Sequence, residues 1–281
     1  MPDDLLIEPF VRAALLEDCA RGGDVTTNSI LDEDTHAGGS IVARQTGIIA
    51  GHDAARITFA LLDPASRYEV LVGEGAHVNA QTAIARIGAK ARSLLTGERT
   101  ALNFLCRLSG IATATRALVD AIAAFPARIV CTRKTTPGLR VLERSAVVAG
   151  GGSLHRFGLD DAILIKDNHI ALAGGITRAV SAVREKIGHM LKVEVEVDSL
   201  EQLREALALP IDAVLLDNMT PDVLTKAVTI VGGRLLTEAS GSVNLHNVAA
   251  IAATGVDLIS AGSITHSAPA LDLGLDVDGA G

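Results

Sequence analysis

Basic side chains gather in one stretch of the sequence, between Arg133 and His169. This stretch holds six arginines or lysines against four acidic residues, whereas the whole chain of 281 residues has a formal net charge of −8. An arginine presents a planar pair of donors that matches a carboxylate or a phosphate, and a lysine adds a compact charge. The local excess of positive charge predicts a site for a small substrate with several acidic groups. The six cations are Arg133, Lys134, Arg140, Arg144, Arg156 and Lys166.

Their positions favour some of these cations over others. Arg133, Lys134 and Lys166 each follow a predicted strand, where side chains of a binding site are expected. Arg140 and Arg144 have helical spacing, so ordinary surface charge is the simpler interpretation for them.

Three consecutive glycines at 150–152 precede His155 and Arg156. Glycine permits positive φ and leaves backbone N–H groups able to face an anion. Alone, this run would be interpreted as a plain flexible loop. Beside two cationic side chains, it predicts a shaped loop that delivers them to the site.

Two carboxylates, Glu196 and Asp217, lie on or directly after consecutive predicted strands. Mg²⁺ is typically held by one or two carboxylates together with substrate phosphates, so both are predicted metal ligands. A salt bridge to Lys134 or Lys166 is an alternative, and it is compatible with a metal. Glu194 has the same side-chain parity, so the choice between the two glutamates stays open, with Glu196 preferred because it is nearer the strand end.

Two small polar turns follow later strands, Ser240-Gly241-Ser242 and Gly262-Ser263. Backbone N–H groups there, with a helix predicted to begin near Asn244, are expected to bind one phosphate. Tight connections with no ligand are the alternative for either turn taken singly.

An alternating pattern of strands and helices begins at residue 127 and supplies the scaffold for these candidates. Carboxyl ends of parallel strands face one side, so the side chains after them converge on one rim. The pattern therefore predicts a parallel sheet or a closed β/α barrel. The predicted strands are 128–131, 162–165, 192–197, 213–216, 234–236 and 257–260, and the predicted helices are 139–148, 176–186, 200–207, 220–230 and 245–253.

The first hundred residues are typical of a mixed α+β unit, followed by a long helical region over 91–125 that Gly110 is predicted to interrupt. We predict an N-terminal domain over 1–105, a barrel domain over 106–267, and a tail over 268–281 that returns to the first domain.

Composition excludes several classes of protein. Aromatic residues make up 2% of the chain and tryptophan is absent, which argues against a nucleic-acid binder that stacks bases. Three widely spaced cysteines fit neither a disulfide framework nor a metal motif, which favours a reducing cytoplasm. The N-terminal segment lacks a basic start followed by an apolar run, and uncharged stretches are broken by polar residues. We therefore expect neither a signal peptide nor a membrane span.

Several long and unusual stretches occur in order across nearly the whole chain. They are Gly97-Glu-Arg-Thr-Ala-Leu-Asn through Leu108-Ser-Gly-Ile-Ala-Thr, Thr132-Arg-Lys-Thr-Thr-Pro-Gly-Leu-Arg, Gly150-Gly-Gly-Ser-Leu-His-Arg, Ile163-Leu-Ile-Lys-Asp-Asn-His, Val193-Glu-Val-Glu-Val, Leu215-Leu-Asp-Asn, Glu238-Ala-Ser-Gly and Thr254-Gly-Val-Asp-Leu-Ile-Ser. In these stretches the chain resembles the quinolinate phosphoribosyltransferase family, also called nicotinate-nucleotide pyrophosphorylase (carboxylating). The resemblance implies an α/β fold with an N-terminal α/β sandwich and a C-terminal open (β/α) barrel.

The resemblance also implies roles for particular residues. Lys134, Lys166, Glu196 and Asp217 would be catalytic. The site would belong to a homodimer in which the neighbouring subunit lends Arg99. The quinolinate carboxylates would be surrounded by Arg133, Lys134, His155, Arg156 and Lys166. Glu196 and Asp217 would serve Mg²⁺ and the ribose. The 5-phosphate would be held by Ser240, Gly241 and Gly262. One departure is the Gly241-Ser242-Val243 run, where the family often has a second glycine.

The reaction implied is the joining of quinolinate to 5-phosphoribosyl 1-pyrophosphate, with release of CO₂ and pyrophosphate, to make nicotinate mononucleotide for NAD biosynthesis. A similar protein associated with molybdenum uptake, with another substrate, is one alternative, and the intact run from Lys166 to His169 argues against it. A non-catalytic relative that binds a phosphorylated metabolite is another, and the presence of both carboxylates and the basic set disfavours it.

Overall fold

The structure is a computed structural model that describes residues 3–19 and 22–279. Packing divides these residues into two compact units. The first combines the described residues up to 116 with residues 135–151 and 265–279, and the second combines residues 117–134 with 152–264. The domain ranges predicted from the sequence group the chain differently, because residues 135–151 pack with the first unit instead of with the barrel strands on either side of them in sequence.

The helices and strands of the described residues are as follows in chain order. The helices are α1 (Asp4–Cys19), α2 (Val25–Ile30), α3 (His52–Leu62), α4 (Ala91–Ala121), α5 (Arg140–Ala149), α6 (Asp167–Ala173), α7 (Ile176–Arg184), α8 (Leu200–Ala206), α9 (Pro221–Val231), α10 (Val248–Ala252) and α11 (Ser263–His266). The strands are β1 (His36–Ala43), β2 (Gly47–Ile48), β3 (Arg67–Val70), β4 (His77–Val78), β5 (Ala83–Lys90), β6 (Arg128–Val130), β7 (Ile163–Ile165), β8 (Val193–Val197), β9 (Ala213–Asp217), β10 (Leu236–Ser240), β11 (Leu258–Ser260) and β12 (Leu273–Val277). No helix in the described part of the chain is both long and apolar enough to span a bilayer.

The first unit is built on a four-stranded antiparallel sheet with the order β12-β1-β5-β3. The last strand of the chain, β12, pairs with β1, so that Ile41 lies opposite Leu275. Its core contains Ile41, Phe59, Ile84 and Leu105, and helices α3 and α4 contribute to it. This arrangement is the α/β sandwich expected for the N-terminal half.

Helix α4 runs through Gly110 without a break, so the predicted interruption there is wrong. A Cβ atom at this position would lie 2.0 Å from the carbonyl oxygen of Pro269. Glycine is therefore needed for the close approach of a second backbone segment, which outweighs its cost of about 1 kcal/mol in a helix.

A buried ion pair holds several segments of the first unit together. Glu143 on α5 is fully buried, and its Oε1 atom lies 2.9 Å from Nη2 of Arg107 on α4. Glu143 also accepts hydrogen bonds from the backbone N–H of Thr136 (3.1 Å) and from its hydroxyl (2.7 Å). Arg107 in turn donates to the carbonyl oxygen of Ala268 at 3.0 Å.

We expect Glu143→Ala to lower the free energy of unfolding by about 3 kcal/mol, because it leaves the partly buried Arg107 guanidinium without its partner and removes two hydrogen bonds with Thr136. Urea denaturation followed by circular dichroism measures this change. The matched control is Glu201→Ala, since the Glu201 side chain is 84% exposed and a change within about 0.5 kcal/mol is expected there. Equal stability of the two variants would contradict the importance of the buried pair.

The second unit is a six-stranded parallel sheet with the order β6-β11-β10-β9-β8-β7 and helices between its strands. In the described part of the chain, the end strands β6 and β7 do not pair with each other, so the sheet matches the open (β/α) barrel that was expected. Strand β8 shows the alternation that orients the site: Val193, Val195 and Val197 are buried, whereas Glu194 and Glu196 point to the opposite face.

One strand boundary differs in a way that matters for the site. The sequence predicts a strand over 234–236, but β10 runs from Leu236 to Ser240. The charged Glu238 therefore lies inside a strand and is buried, with 2% of its surface exposed.

Candidate active site

A cavity of about 580 Å³ lies at the carboxyl ends of the strands of the second unit. It brings together most of the residues that the sequence singles out. Apart from Leu164 and Leu215, the residues that line it are Thr132, Arg133, Lys134, His155, Arg156, Lys166, Glu196, Asp217, Asn218, Glu238, Ser240, Gly241, Ser242 and Ser260. Four arginines or lysines in one cavity of a chain with net charge −8 indicate an acidic ligand.

Lys166 is placed by the junction between β7 and α6. It is the first residue after the strand, and its backbone N–H donates to Nδ1 of His169 at 2.9 Å. This contact begins helix α6, which the sequence analysis missed because Asp167, Asn168 and His169 follow the strand as polar residues. His169 thus stabilises the helix start that orients Lys166.

The Lys166 amine lies 3.5 Å from Oε2 of Glu196 on the adjacent strand β8. The salt bridge considered as an alternative role for Glu196 is therefore present. Half of the Lys166 side chain is exposed, so this pair contributes little to stability and its charges remain accessible to a ligand. The two glutamates of β8 have different partners. Glu194 contacts His155, whereas Glu196 contacts Lys166.

Asp217 ends strand β9, and its Oδ2 atom accepts a hydrogen bond from Nδ2 of Asn218 at 2.7 Å. Asn218 has a positive φ of 52°, and its backbone N–H donates to the carbonyl oxygen of Ser240 at 2.9 Å. The predicted site residues did not include Asn218. The signal for it was its residue type, because asparagine tolerates this left-handed conformation.

The loop after β10 packs directly against Asn218. Gly241 has a φ of 109°, and a Cβ atom there would lie 2.1 Å from Oδ1 of Asn218. Both the backbone conformation and the close approach therefore require glycine. Ser240, Gly241 and Ser242 all line the cavity, whereas Gly262 is not among the residues that do.

The prediction of a helix start near Asn244 is wrong, because helix α10 begins at Val248. Residues 244–247 form a turn in which the side-chain amides of Asn244 and Asn247 both donate to the carbonyl oxygen of Ser242, at 3.0 and 3.1 Å. The loop that follows β10 is therefore shaped by asparagine side chains instead of by a helix end.

His155 reaches the cavity because the segment before it docks on β6. Ser153 forms a parallel bridge with Val130, with its N–H donating to Ile129 (2.8 Å) and its carbonyl accepting from Cys131 (3.2 Å). The residues after the glycine run are therefore anchored beside the sheet, which supports the prediction of a shaped loop.

His155 lies between two carboxylates. Its Nε2 atom is 3.2 Å from Glu194 Oε2 and 3.5 Å from Glu238 Oε2. Burial lowers the pKa of His155, but the hydrogen bond with Glu194 and the charge of Glu238 raise it, and the net shift of this pKa is upward. Burial, together with the charge of Glu194, raises the pKa of Glu238 to about 7.

Arg156 follows His155 and donates from Nη1 to the carbonyl oxygen of Ala162 at 3.0 Å. Burial and the nearby positive charge of Arg133 hold the pKa of Arg156 below its usual range. Two guanidinium groups that repel each other in one cavity would be stabilised by an anionic ligand between or beside them.

Three cationic residues that the sequence analysis discusses lie in the first unit. Arg99 is on helix α4, and Arg140 and Arg144 are on helix α5. Arg144 is buried, and Arg140 donates from Nε to the hydroxyl of Thr135 at 3.1 Å. None of these three residues is among those that line the cavity of the second unit.

The parallel sheet and its polar carboxyl edge define an α/β protein with a binding site for a polyanionic ligand. The chain belongs to the quinolinate phosphoribosyl transferase family, because the models of the N-terminal and C-terminal domains of that family match residues 24–109 and 111–276.

Individual relatives are similar over almost their full length. A probable nicotinate-nucleotide pyrophosphorylase [carboxylating] from Synechocystis sp. is 45% identical over 280 residues, which cover 99% of this chain and 94% of the relative. The nicotinate-nucleotide pyrophosphorylase [carboxylating] of Mycobacterium leprae is 44% identical and is matched over 95% of both chains. The solved nicotinate-nucleotide pyrophosphorylase of Francisella tularensis has a TM-score of 0.94 and 39% identity, with 99% of this chain and 98% of that chain covered.

Proposed function

We propose that this protein is a pentosyltransferase that makes nicotinate mononucleotide, CO₂ and pyrophosphate from quinolinate and 5-phosphoribosyl 1-pyrophosphate, a step of NAD biosynthesis. The observation that carries this proposal is the single cavity with a set of cations beside the carboxylates Glu196 and Asp217. The names of the relatives support the same reaction.

The cations fit the two carboxylates of quinolinate. Arg133 and Arg156 offer planar pairs of donors, and Lys134 and Lys166 add compact charges in the same cavity. His155, which also lines the cavity, is proposed to contact the same dicarboxylate. Ser240 and Gly241, which also line the cavity, present a tight loop that is suited to the 5-phosphate, and Gly262 remains a predicted member of that phosphate site.

The residue types match the chemistry of the transfer. The bond between ribose C1 and the pyrophosphate oxygen breaks, the developing oxocarbenium ion is attacked by the pyridine nitrogen, and lysines and arginines stabilise the leaving negative charge. The resulting cationic ring accepts the electron pair that remains when the adjacent carboxylate leaves as CO₂. A proton from water then adds to that carbon. Positioning and partial desolvation of the carboxylate suffice, and no covalent nucleophile is needed.

Mg²⁺ is the proposed cofactor, with Glu196 and Asp217 as its ligands. Both side chains end in hard oxygen donors, both line the cavity, and both lie at the ends of adjacent strands β8 and β9. This donor set suits a hard cation that also binds substrate phosphates. When bound, the ion would neutralise charge on the pyrophosphate.

We expect removal of divalent cations with EDTA to reduce product formation to below about 1%, with recovery after MgCl₂ is added in excess. Asp217→Asn should raise the MgCl₂ concentration required for half-maximal activity, because one anionic ligand is lost. The measurement is the initial rate against free Mg²⁺. A rate that is unchanged in EDTA would exclude the proposed cofactor.

We further propose a homodimer in which Arg99 acts at the site of the neighbouring subunit. Arg99 lies on helix α4 of the first unit, whereas the cavity residues belong to the second. An additional guanidinium is expected to strengthen binding of a dicarboxylate.

This proposal predicts complementation between two inactive variants. Arg99→Ala and Lys134→Ala are each expected to lose about 99% or more of the activity, since each removes a charged contact to the substrate. Mixed and allowed to exchange subunits, they should regain activity, because each hybrid dimer has one intact site. Absence of recovery after subunit exchange has been verified by mass spectrometry would contradict a shared site.

The alternative in which the protein serves molybdenum uptake is disfavoured by the names of the full-length relatives. We propose a cytoplasmic location, which is supported by the three cysteines, none of which forms a disulfide in the described part of the chain. No nucleic-acid or membrane partner is proposed.

The test of the function is product formation from purified protein, quinolinate, 5-phosphoribosyl 1-pyrophosphate and MgCl₂. Nicotinate mononucleotide and CO₂ should appear in equal amounts. Nicotinate, which lacks the second carboxylate, is the control substrate and should react poorly. No product from folded protein would reject the proposed function.

A further inference from the structure

His155, Glu194 and Glu238 form a cluster in which most of each side chain is buried. The proposed reaction gives a role to His155 but none to the two glutamates. The three side chains bring potential ligand atoms within 4.8 Å of one another. Glu238 is 2% exposed, and the side chains of His155 and Glu194 are 15% and 13% exposed. Burying two neighbouring carboxylates costs folding free energy unless other groups compensate them.

The protein engages both nitrogens of the His155 ring. Nε2 faces Glu194 and Glu238, as described above, and Nδ1 accepts a hydrogen bond from the backbone N–H of Arg156 at 2.7 Å. The two carboxylates favour a proton on Nε2, and the Arg156 N–H requires a lone pair on Nδ1. Together these contacts select the tautomer that has its proton on Nε2.

The contacts form a chain from the sheet to the cavity wall. Glu194 and Glu238 belong to strands β8 and β10, and they fix the imidazole. The imidazole then fixes the backbone of Arg156, whose side chain lines the cavity and is also held by the carbonyl of Ala162. The imidazole lies 3.5 Å from Glu238, which is itself among the residues that line the cavity.

We infer that Glu194 and Glu238 are positioning residues that lock the His155 ring, and through it the Arg156 backbone, in the arrangement that receives the quinolinate dicarboxylate. This inference rests on the proposed function. Neither glutamate acts on the reacting atoms.

The sharpest test compares the effect of Glu238→Gln on KM for quinolinate in two backgrounds. In the otherwise unchanged protein, the substitution should raise KM for quinolinate about tenfold, since it loosens His155 and Arg156. In a His155→Ala background, the same substitution should change KM for quinolinate less than about twofold, because the ring through which Glu238 acts is absent. KM for 5-phosphoribosyl 1-pyrophosphate should change less than about twofold in either background.

An equal rise in KM in both backgrounds, or no rise in the unchanged background, would overturn the inference. Glu194→Gln provides the same comparison if Glu238→Gln does not fold. Glu201→Gln, at an exposed position of the same unit, is the matched control and should leave both KM values unchanged.

A second measurement does not depend on activity and so separates this inference from the proposed function. At a pH above the pKa of His155, protein with ¹⁵N-labelled imidazole rings should show His155 protonated at Nε2 and unprotonated at Nδ1, with the signal assigned by its loss in His155→Gln. Glu238→Gln should shift this signal, and Glu201→Gln should not. A proton on Nδ1 would overturn the inference, since Nδ1 could not then accept from Arg156. If the unchanged protein lacks activity but shows the expected tautomer, the proposed function fails while the locked ring stands.

Discussion

Replacement of Lys166 by alanine is expected to lower kcat/KM for quinolinate by about a hundredfold to a thousandfold, which corresponds to about 3–4 kcal/mol. The lysine supplies one of the cations of the cavity, and it also compensates Glu196 at 3.5 Å. The variant loses a charged contact to the substrate and leaves a carboxylate that repels an acidic ligand, so two unfavourable effects act together. Steady-state kinetics with quinolinate as the varied substrate measure the change.

Lys192→Ala is the matched control for this variant. Lys192 lies in the same unit, but its side chain is 79% exposed and pairs with Asp212 at 2.7 Å. We expect its loss to change kcat/KM less than threefold, because an exposed pair contributes little. Activity of Lys166→Ala within tenfold of the unchanged protein, with intact circular dichroism, would remove Lys166 from the set of substrate-binding residues.

Substitution of Gly241 by alanine has the second large expected effect, and it concerns the phosphate loop. The new Cβ would lie 2.1 Å from Oδ1 of Asn218, so either the loop or Asn218 must move. Because Asn218 also contacts Asp217, the change should reach both the phosphate loop and the proposed metal ligand. We expect kcat/KM for 5-phosphoribosyl 1-pyrophosphate to fall by about a hundredfold or more, since displacements near 1 Å have effects of this size.

Gly175→Ala separates this steric effect from backbone strain. Gly175 has a φ of 128°, but nothing lies within 4 Å of the position of its Cβ. Both variants should lose about 1–3 kcal/mol of stability from the left-handed backbone, whereas only Gly241→Ala should lose activity. Similar kinetic losses in both would show that strain alone, and not contact with Asn218, explains the effect. Calorimetric titration with quinolinate should give nearly the same affinity for Gly241→Ala as for the unchanged protein.

Strand ends were the most informative feature of the sequence. The alternation of β8 places Glu194 and Glu196 on one face, as their spacing of two residues requires. Lys166 and Asp217 follow or end their strands, and parallel strands bring such residues to one edge. Side-chain periodicity and strand polarity are local properties, so these placements could be predicted without long-range information.

The local pattern failed where distant contacts decide the structure. Glu238 is typical of a loop by residue type, yet it is buried in β10 because His155, more than eighty positions earlier in the chain, lies against it. Gly110 is typical of a helix break, yet α4 continues through it because the backbone at Pro269 packs there. The turn at 244–247 depends on asparagine side chains that bond the carbonyl of Ser242, which hydrophobic periodicity does not detect.

The dicarboxylate site can be located most directly by a crystal structure with quinolinate bound. We predict one quinolinate molecule in the 580 Å³ cavity, with its carboxylate oxygens within hydrogen-bond distance of Arg133, Arg156 and Lys166 and with the His155 ring still against Glu194. Quinolinate bound elsewhere on the protein, with this cavity filled only by water, would contradict the account.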